Sequence, residues 1–169
     1  VAHIHPITAV HYSPEMEVVV SSSTSGLVAI HTAREGTFLR FIYDLVGESV
    51  DILTIAPLGY LVAHSWKTGR LVLYWINGQK LIETNTGQSR ITSVAVNRSS
   101  NILICGMSSG ELVFRELHSL RELQVMTSVA EYGSVLRLQF SHDRQFLLVG
   151  SADGHYSVLY DSNPLEGKE

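Results

Sequence analysis

The sequence has little of what marks several protein classes. Its single cysteine, Cys105, cannot form a disulfide within the chain. No apolar stretch approaches the ~20 residues that a membrane-spanning helix needs, and no signal-peptide pattern stands at the N-terminus. Charged residues make up only 17% of the chain, and the net charge of −4 is spread without runs. We therefore expect a cytoplasmic protein that neither binds nucleic acid nor inserts into membranes directly; association at a membrane periphery would come through partners.

Motifs for catalysis and for metal binding are also missing. The only closely spaced histidines are His3 and His5, whereas a zinc site needs three or four ligands. Cys105 lies within an apolar run, which favours a buried small side chain over a nucleophile. The chain has no Gly-rich phosphate loop, no paired catalytic carboxylates and no nucleophile elbow. We expect no catalytic residue, no metal and no cofactor, and hence no enzyme.

What the sequence does contain is an internal repeat. A small or polar run ending in glycine occurs four times, and the closing glycines are Gly26, Gly69, Gly110 and Gly154. Their spacings of 43, 41 and 44 residues are typical of a four-stranded propeller blade. A β-prone run stands on each side of every glycine, which predicts a hairpin because glycine adopts the positive φ that a tight turn requires.

Each copy predicts strands that we name a, b, c and d in chain order. An alternating segment for strand a precedes each hairpin, with the period of two that is typical of a strand. A more polar strand d follows in three copies, at 38–42, 80–83 and 123–125. The segment 117–122 favours a c–d loop over a helical turn. The sequence therefore predicts an all-β chain of four consecutive four-stranded blades, at about 1–45, 46–86, 87–130 and 131–163, with a polar tail at 164–169.

The fourth copy resembles the WD-repeat core. Phe140-Ser141-His142-Asp143 precedes an apolar strand, and Gly150-Ser151-Ala152-Asp153-Gly154 forms the turn. The first copy is similar through Tyr12-Ser13-Pro14-Glu15, and His3 stands where the resemblance places the blade histidine. The Trp-Asp dipeptide that names the family is absent from all four copies. Since no copy has every member of the family's side-chain network, we expect blade stability to rest more on apolar packing.

A narrower resemblance concerns propellers that follow BEACH domains, as in neurobeachin-like proteins. The segment 106–117, followed by Leu120-Arg121-Glu122-Leu123, is similar to their late blades. The segment 75–81, with its Asn77-Gly78 turn, and the chain end at 158–163 are similar too. WD propellers most often have seven blades, so the resemblance implies that this chain is the C-terminal part of a larger ring of about seven blades, completed by further blades of the same or a longer chain.

Candidate partner-binding residues lie near the b–c turns, on the face where WD propellers commonly receive peptides. Trp66 is a large aromatic residue in a turn, and tryptophan is enriched at interface hot spots; the alternative is that it folds back over the neighbouring blade. Weaker candidates on the same rim are Lys67, Arg70, Asp153 and His155. Structural roles in the turns and blades are expected for Gly26, Gly69, Gly110, Gly154 and His3.

The resemblance implies a non-catalytic scaffold that binds other proteins, with a BEACH-type role in vesicle or membrane trafficking as the first hypothesis. The alternative is a WD-repeat adaptor in another complex, such as one for ubiquitin ligation, RNA processing or signalling. A third, remote hypothesis is a propeller enzyme with its active site in the central channel. We expect that channel to be mostly apolar along strand a, with Asp51 and Arg137 as the exceptions.

Overall fold

The computed structural model describes residues 2–87, 90–97, 99–127, 133–143 and 145–160, and fifteen β-strands are found there. In chain order they are β1 (Ile7–Ser13), β2 (Val18–Ser23), β3 (Val28–Thr32), β4 (Phe38–Ile42), β5 (Ile52–Ile55), β6 (Tyr60–His64), β7 (Arg70–Trp75), β8 (Lys80–Asn85), β9 (Ile91–Val96), β10 (Ile102–Met107), β11 (Leu112–Glu116), β12 (Glu122–Met126), β13 (Val135–Phe140), β14 (Phe146–Ser151) and β15 (Tyr156–Tyr160). Within those ranges there is no helix with the length and hydropathy that crossing a bilayer requires.

The strands form four antiparallel sheets, each made from one sequence repeat. Three sheets have four strands, in the orders β1-β2-β3-β4, β5-β6-β7-β8 and β9-β10-β11-β12, and the last has β13-β14-β15 among the described residues. The predicted all-β blades are confirmed, and residues 117–119 form a turn between strands c and d of the third blade. The predicted polar tail and the end of the fourth blade lie outside the described residues.

The b–c hairpins close through glycines with positive φ. Gly26, Gly69, Gly110 and Gly154 have φ of 81°, 70°, 92° and 86°. In the first turn, the Gly26 amide donates to Ser23 O at 3.0 Å, and no side chain would fit: a Cβ on Gly26 would lie 1.7 Å from Leu45 O. The polar turns thus fix both the hairpin and the path of the following interblade segment.

Apolar side chains between neighbouring sheets hold the blades together. Three clusters of buried residues fill the three interblade spaces, and they are almost wholly aliphatic. The first contains Val20, Ile30, Leu53, Leu61 and Val72; the second, Val62, Leu73, Leu103, Cys105 and Val113; the third, Ile102, Ile104, Val135, Leu138 and Val149. The third and fourth blades are in such close contact that a Cβ on Gly106 would lie 2.5 Å from Val135 Cγ1. The blades therefore rest on face-to-face packing.

The blades follow one another around a common channel lined by the innermost strands. β1 packs on β5, β5 on β9 and β9 on β13, whereas among the described residues no packing of that extent joins β13 to β1. The outermost faces of the first and last blades are consequently exposed. We call them the terminal faces: one carries Val10, Tyr12 and Phe38, and the other carries Phe146, Leu148, Tyr156, Val158 and Tyr160.

Candidate functional site: the face of the b–c turns

One end of the four sheets is built from the b–c turns and from the segments that connect strand d to the next strand a. Backbone hydrogen bonds join the two sets: the amides of Gly47, Thr86, Ser108 and Ala152 donate to the carbonyls of Ser25, Gly69, Arg90 and Ser134 at 2.8–3.0 Å. Because each turn is tied to a connecting segment, this end presents a surface with a fixed backbone. We call it the interaction face.

Trp66 lies on the interaction face and is held at three points. Its backbone amide donates to Asp51 Oδ2 at 2.8 Å, and its indole Nε1 donates to the carbonyl of Ile91 in the third blade. The Arg90 guanidinium stands over the indole, with Cζ 3.8 Å from the ring centroid. The side chain thus crosses from the second blade to the third, yet the residue as a whole remains 40% exposed. Whether it also binds a partner stays a prediction.

The bond from Trp66 to Ile91 has equivalents between the other blades. At the start of strand a, Thr8 and Thr92 occupy the same register position, opposite the ends of β2 and β10. The Thr8 hydroxyl donates to Val50 O of the second blade, and the Thr92 hydroxyl donates to Val135 O of the fourth. Asp51 occupies this position in the second blade and cannot donate as a carboxylate. It binds the Trp66 amide instead, and the indole supplies the missing donor.

Arg70 is also on this side of the molecule, but three carboxylates already pair with its guanidinium. Its guanidinium contacts Glu48 at 2.8 Å, Glu83 at 2.8 Å and Asp44 at 3.2 Å. Hydrogen bonds to Glu83 and Glu48 raise the pKa of Arg70 above its usual value. Tyr74 donates to Asp44 at 2.8 Å, and burial followed by this bond raises its pKa. The network ties the 44–48 segment to the second blade, a role that the sequence did not indicate.

Asp153 and His155 lie apart from Trp66, in the b–c turn of the last blade. Asp153 accepts hydrogen bonds from Ser151 Oγ at 2.7 Å and from the His155 amide, and the Ser151 bond lowers the pKa of Asp153. Its other oxygen lies 3.3 Å from His155 Nδ1. Lys67, by contrast, is exposed beside Trp66. At the other end of the chain, His3 Nε2 lies 2.8 Å from Ser21 Oγ, and burial lowers its pKa.

Two buried titratable groups lie behind this face. His64 Nε2 contacts Thr86 Oγ1 at 3.2 Å, and burial lowers the pKa of His64 to about 4, against a smaller opposing effect of the Asp51 carboxylate. Cys105 is fully buried, which raises its pKa to about 12, so the thiolate that a nucleophile needs does not form near neutral pH. Across the described ranges, no group of three or more His, Cys, Asp and Glu side chains is arranged to hold a metal.

The central channel is more polar than the sequence predicted. A cavity of about 640 Å³ lies among the four innermost strands. Val50, Ile91 and Val135 do not line it, because the first residues of strand a are buried between blades. Asp51 and Arg137 line it as expected, and they are joined by further polar residues: Thr8, His11, Thr54, Thr92, Ser93 and Gln139. The expectation of a mostly apolar channel was therefore wrong.

Comparisons with solved structures show the fold. The crystal structure of the computationally designed Ika4 protein superposes with a TM-score of 0.72 at 25% identity, covering 94% of this chain and 92% of that one. The designed Ika8 protein superposes with a TM-score of 0.71 at 25% identity, over 94% of this chain and 46% of that one. The four blades thus match nearly all of one designed protein and about half of the other.

Sequence comparisons show the family. BEACH domain-containing protein B of Arabidopsis thaliana is 26% identical over 166 residues, which cover 98% of this chain and 6% of that protein. The U3 small nucleolar RNA-associated protein 21 homolog of Schizosaccharomyces pombe is 24% identical over 154 residues, 90% of this chain and 17% of that protein. The chain therefore spans a small part of the length of these relatives. The model of the neurobeachin beta propeller domain matches residues 1–166, and the chain belongs to that family.

Proposed function

We propose that this chain is a non-catalytic protein-binding part of a BEACH-type protein that acts in vesicle or membrane trafficking. The observation that carries the proposal is the interaction face, whose backbone is fixed by hydrogen bonds and which presents an exposed aromatic side chain, in a member of the neurobeachin propeller family. A fixed surface loses little conformational freedom on binding, which favours affinity. The protein would work in the cytoplasm and would reach membranes through its partners.

The exposed terminal faces support the proposal that further blades complete a larger ring, which would have about seven blades in all. Tyr156, Val158 and Tyr160 are 81%, 50% and 64% exposed, whereas side chains between blades are nearly fully buried. An apolar patch of this kind marks a surface that is covered in the functional assembly.

The proposal is tested by identifying proteins bound to the full-length protein in cells. Affinity purification with mass spectrometry would compare wild type with a variant that changes the interaction face, Lys67→Glu, and with Arg34→Glu on the c–d side as the matched control. We expect proteins of vesicle coats, tethers or sorting machinery to be recovered with wild type and with Arg34→Glu, and to be depleted with Lys67→Glu. Recovery of no such proteins with wild type would contradict the trafficking role.

A second candidate function is a scaffold subunit in an RNA-processing complex. It is favoured by the similarity to the protein named as associated with U3 small nucleolar RNA. The net charge of −4 argues that such a subunit would contact proteins and not RNA. Imaging of the tagged full-length protein separates the two candidates, since nucleolar enrichment would support this one and vesicular or cytoplasmic signal the first.

A further inference from the structure

The interaction face carries two cations, Lys67 and Arg90, whose charge is not neutralised by any carboxylate among the described residues. Lys67 and Arg90 are exposed, and among the described residues neither has a carboxylate at ion-pair distance. The neighbouring Arg70 differs, because Glu48, Glu83 and Asp44 surround it. Arg90 lies over the ring of Trp66, and Lys67 is the next residue in the chain after Trp66, so the two cationic residues adjoin the same tryptophan.

The guanidinium of Arg90 is held in place by contacts that leave its hydrogen-bond donors available. Its carbon lies 3.8 Å from the centroid of the Trp66 ring, a distance at which the ring's negative face attracts a cation. The ring itself is fixed by the bonds of Trp66 to Asp51 and Ile91. The backbone of Arg90 is fixed as well, since its carbonyl accepts the Ser108 amide at 3.0 Å. A guanidinium stacked in this way is oriented before a ligand arrives.

The nearby carboxylates already have partners. Glu48 binds Arg70 and the hydroxyl of Thr68, and Asp51 binds Ser49 Oγ at 2.9 Å and the Trp66 amide. An incoming anion would therefore not have to displace an ion pair of Lys67 or Arg90. A planar guanidinium with five donors binds a carboxylate through two parallel hydrogen bonds, and an exposed indole adds apolar contact for the adjacent part of the ligand.

We propose that Arg90, Trp66 and Lys67 form a docking site for an acidic segment of a partner protein, with a partner carboxylate on Arg90 and a second acidic group near Lys67. The inference rests on the proposed protein-binding function and names the partner's chemistry. Two cations on a chain with a net charge of −4 are too few for nucleic acid, which is bound through many phosphates. They are also fewer than the basic clusters that hold proteins on anionic lipids.

The test is a titration of the purified full-length protein with fluorescently labelled peptides, followed by anisotropy at two salt concentrations. The probes are a glutamate-rich peptide, its glutamine counterpart and a counterpart with phosphoserine in place of some glutamates; phosphatidylserine vesicles and a single-stranded RNA are the comparison ligands. We expect the glutamate-rich peptide to bind more tightly than its glutamine counterpart. Added salt should weaken the binding of the glutamate-rich peptide. The phosphoserine arm shows whether phosphate can take the place of the carboxylate.

The variants are Arg90→Gln, Arg90→Lys and Lys67→Gln, with Arg34→Gln on the opposite end as the matched control, since its side chain is 81% exposed. We expect Arg90→Gln to lower the affinity for the acidic peptide about tenfold or more, as loss of a charged hydrogen-bond pair does. Arg90→Lys should retain part of the affinity. Lys67→Gln should lower the affinity several-fold, and Arg34→Gln should bind the peptide with the affinity of wild type. Lys67 is exposed, and within the described ranges its side chain makes no hydrogen bond or ion pair, so Lys67→Gln keeps the test valid if Arg90→Gln misfolds.

The docking site is overturned if the glutamine peptide binds as well as the acidic one, if Lys67→Gln and Arg90→Gln bind like wild type, or if vesicles or RNA bind more tightly than every peptide. These outcomes are separate from failure of the proposed function. Partners recovered equally with wild type and Arg90→Gln would keep the protein-binding function and reject this site. Absence of partners with wild type would reject the function in cells, while the titration would still decide whether the site binds an acidic peptide.

Discussion

At the scale of single residues, glycines in similar turns meet different surroundings. Gly26 and Gly154 both have positive φ, at 81° and 86°. A Cβ on Gly26 would collide with the carbonyls of Leu45 and Glu48, whereas a Cβ on Gly154 would meet nothing within 4 Å. The sequence pattern around the glycine is the same at both sites, but the consequence of replacing the glycine differs between them.

We expect Gly154→Ala to lower the free energy of unfolding by about 1–2 kcal/mol, the cost of a left-handed conformation for a residue with a Cβ. Gly26→Ala should cost clearly more, because the carbonyls that it would strike belong to backbone and cannot rotate away. Urea denaturation followed by circular dichroism measures both. Equal losses for the two variants would contradict the structure.

His64 makes stability depend on pH on the acid side. Its pKa is lowered from 6.5 to about 4 in the folded state, so the unfolded chain takes up a proton that the folded protein resists. The stabilisation is complete above the unfolded pKa of 6.5 and is lost as the pH falls towards about 4. The loss is of the order of 3 kcal/mol for this residue.

His64→Asn removes this titration. We expect its free energy of unfolding to fall less than that of wild type between pH 6.5 and pH 4, the two pKa values of His64. Denaturation curves at several pH values in that window provide the comparison, and His5→Asn, at an exposed position, is the control. Parallel pH profiles for wild type and His64→Asn would show that burial does not suppress the charge on His64.

At the scale of strands and blades, side-chain hydrogen bonds accepted by carbonyls at or just before the start of strand a connect each blade to the next. Thr8, Trp66 and Thr92 supply the three donors, and Val50, Ile91 and Val135 supply the acceptors. The fourth blade has Leu136 at the position of Thr8 and Thr92, and leucine has no donor. This bond pattern therefore stops at the terminal face.

We expect Thr92→Val and Trp66→Phe each to lower the free energy of unfolding by about 1 kcal/mol or more, because each leaves a carbonyl between blades without its donor. Thr37→Val serves as the control, since its hydroxyl contacts Glu35 in an exposed turn. Urea denaturation is again the measurement. Losses no larger than that of Thr37→Val would contradict a stabilising role for these bonds.

The sequence predicted the strands well and the contacts between blades poorly. Strand boundaries follow from period-two alternation and from turn glycines, which are local signals, and the predicted outer strands at 38–42 and 80–83 match β4 and β8 within two residues. The position of Trp66 depends on Asp51 replacing threonine in the same blade and on Arg90 beginning the next. Such pairings join residues far apart in the chain, so no local pattern reports them.

At the scale of the whole molecule, the two terminal faces differ in composition from the surfaces buried between blades. The interblade clusters are mainly valine, isoleucine and leucine. The terminal faces carry Tyr12, Phe38, Phe146, Tyr156 and Tyr160, and all of these are more than a third exposed. Tyrosine combines apolar area with a polar hydroxyl and suits a contact that includes water.

We expect Val158→Lys to leave the stability of the isolated chain nearly unchanged, because the side chain is half exposed there, and to destabilise the full-length protein, in which a further blade would cover it. Leu81→Lys is the control: Leu81 is 43% exposed on the outer strand of an internal blade, and it should be tolerated in both. Thermal unfolding of both forms is the measurement. Equal effects of Val158→Lys in the two forms would contradict the covering of this face.

The three side-chain hydrogen bonds between blades all run in the same direction along the chain. Each donor lies in the blade that is synthesised first, and each acceptor lies at the beginning of the blade that is synthesised next. A ribosome delivers the N-terminal blade first, so the donor is in place when the following inner strand emerges. Each blade therefore presents its hydrogen-bond donor before the blade that carries the acceptor has been synthesised, an order that is compatible with joining the blades one after another during translation.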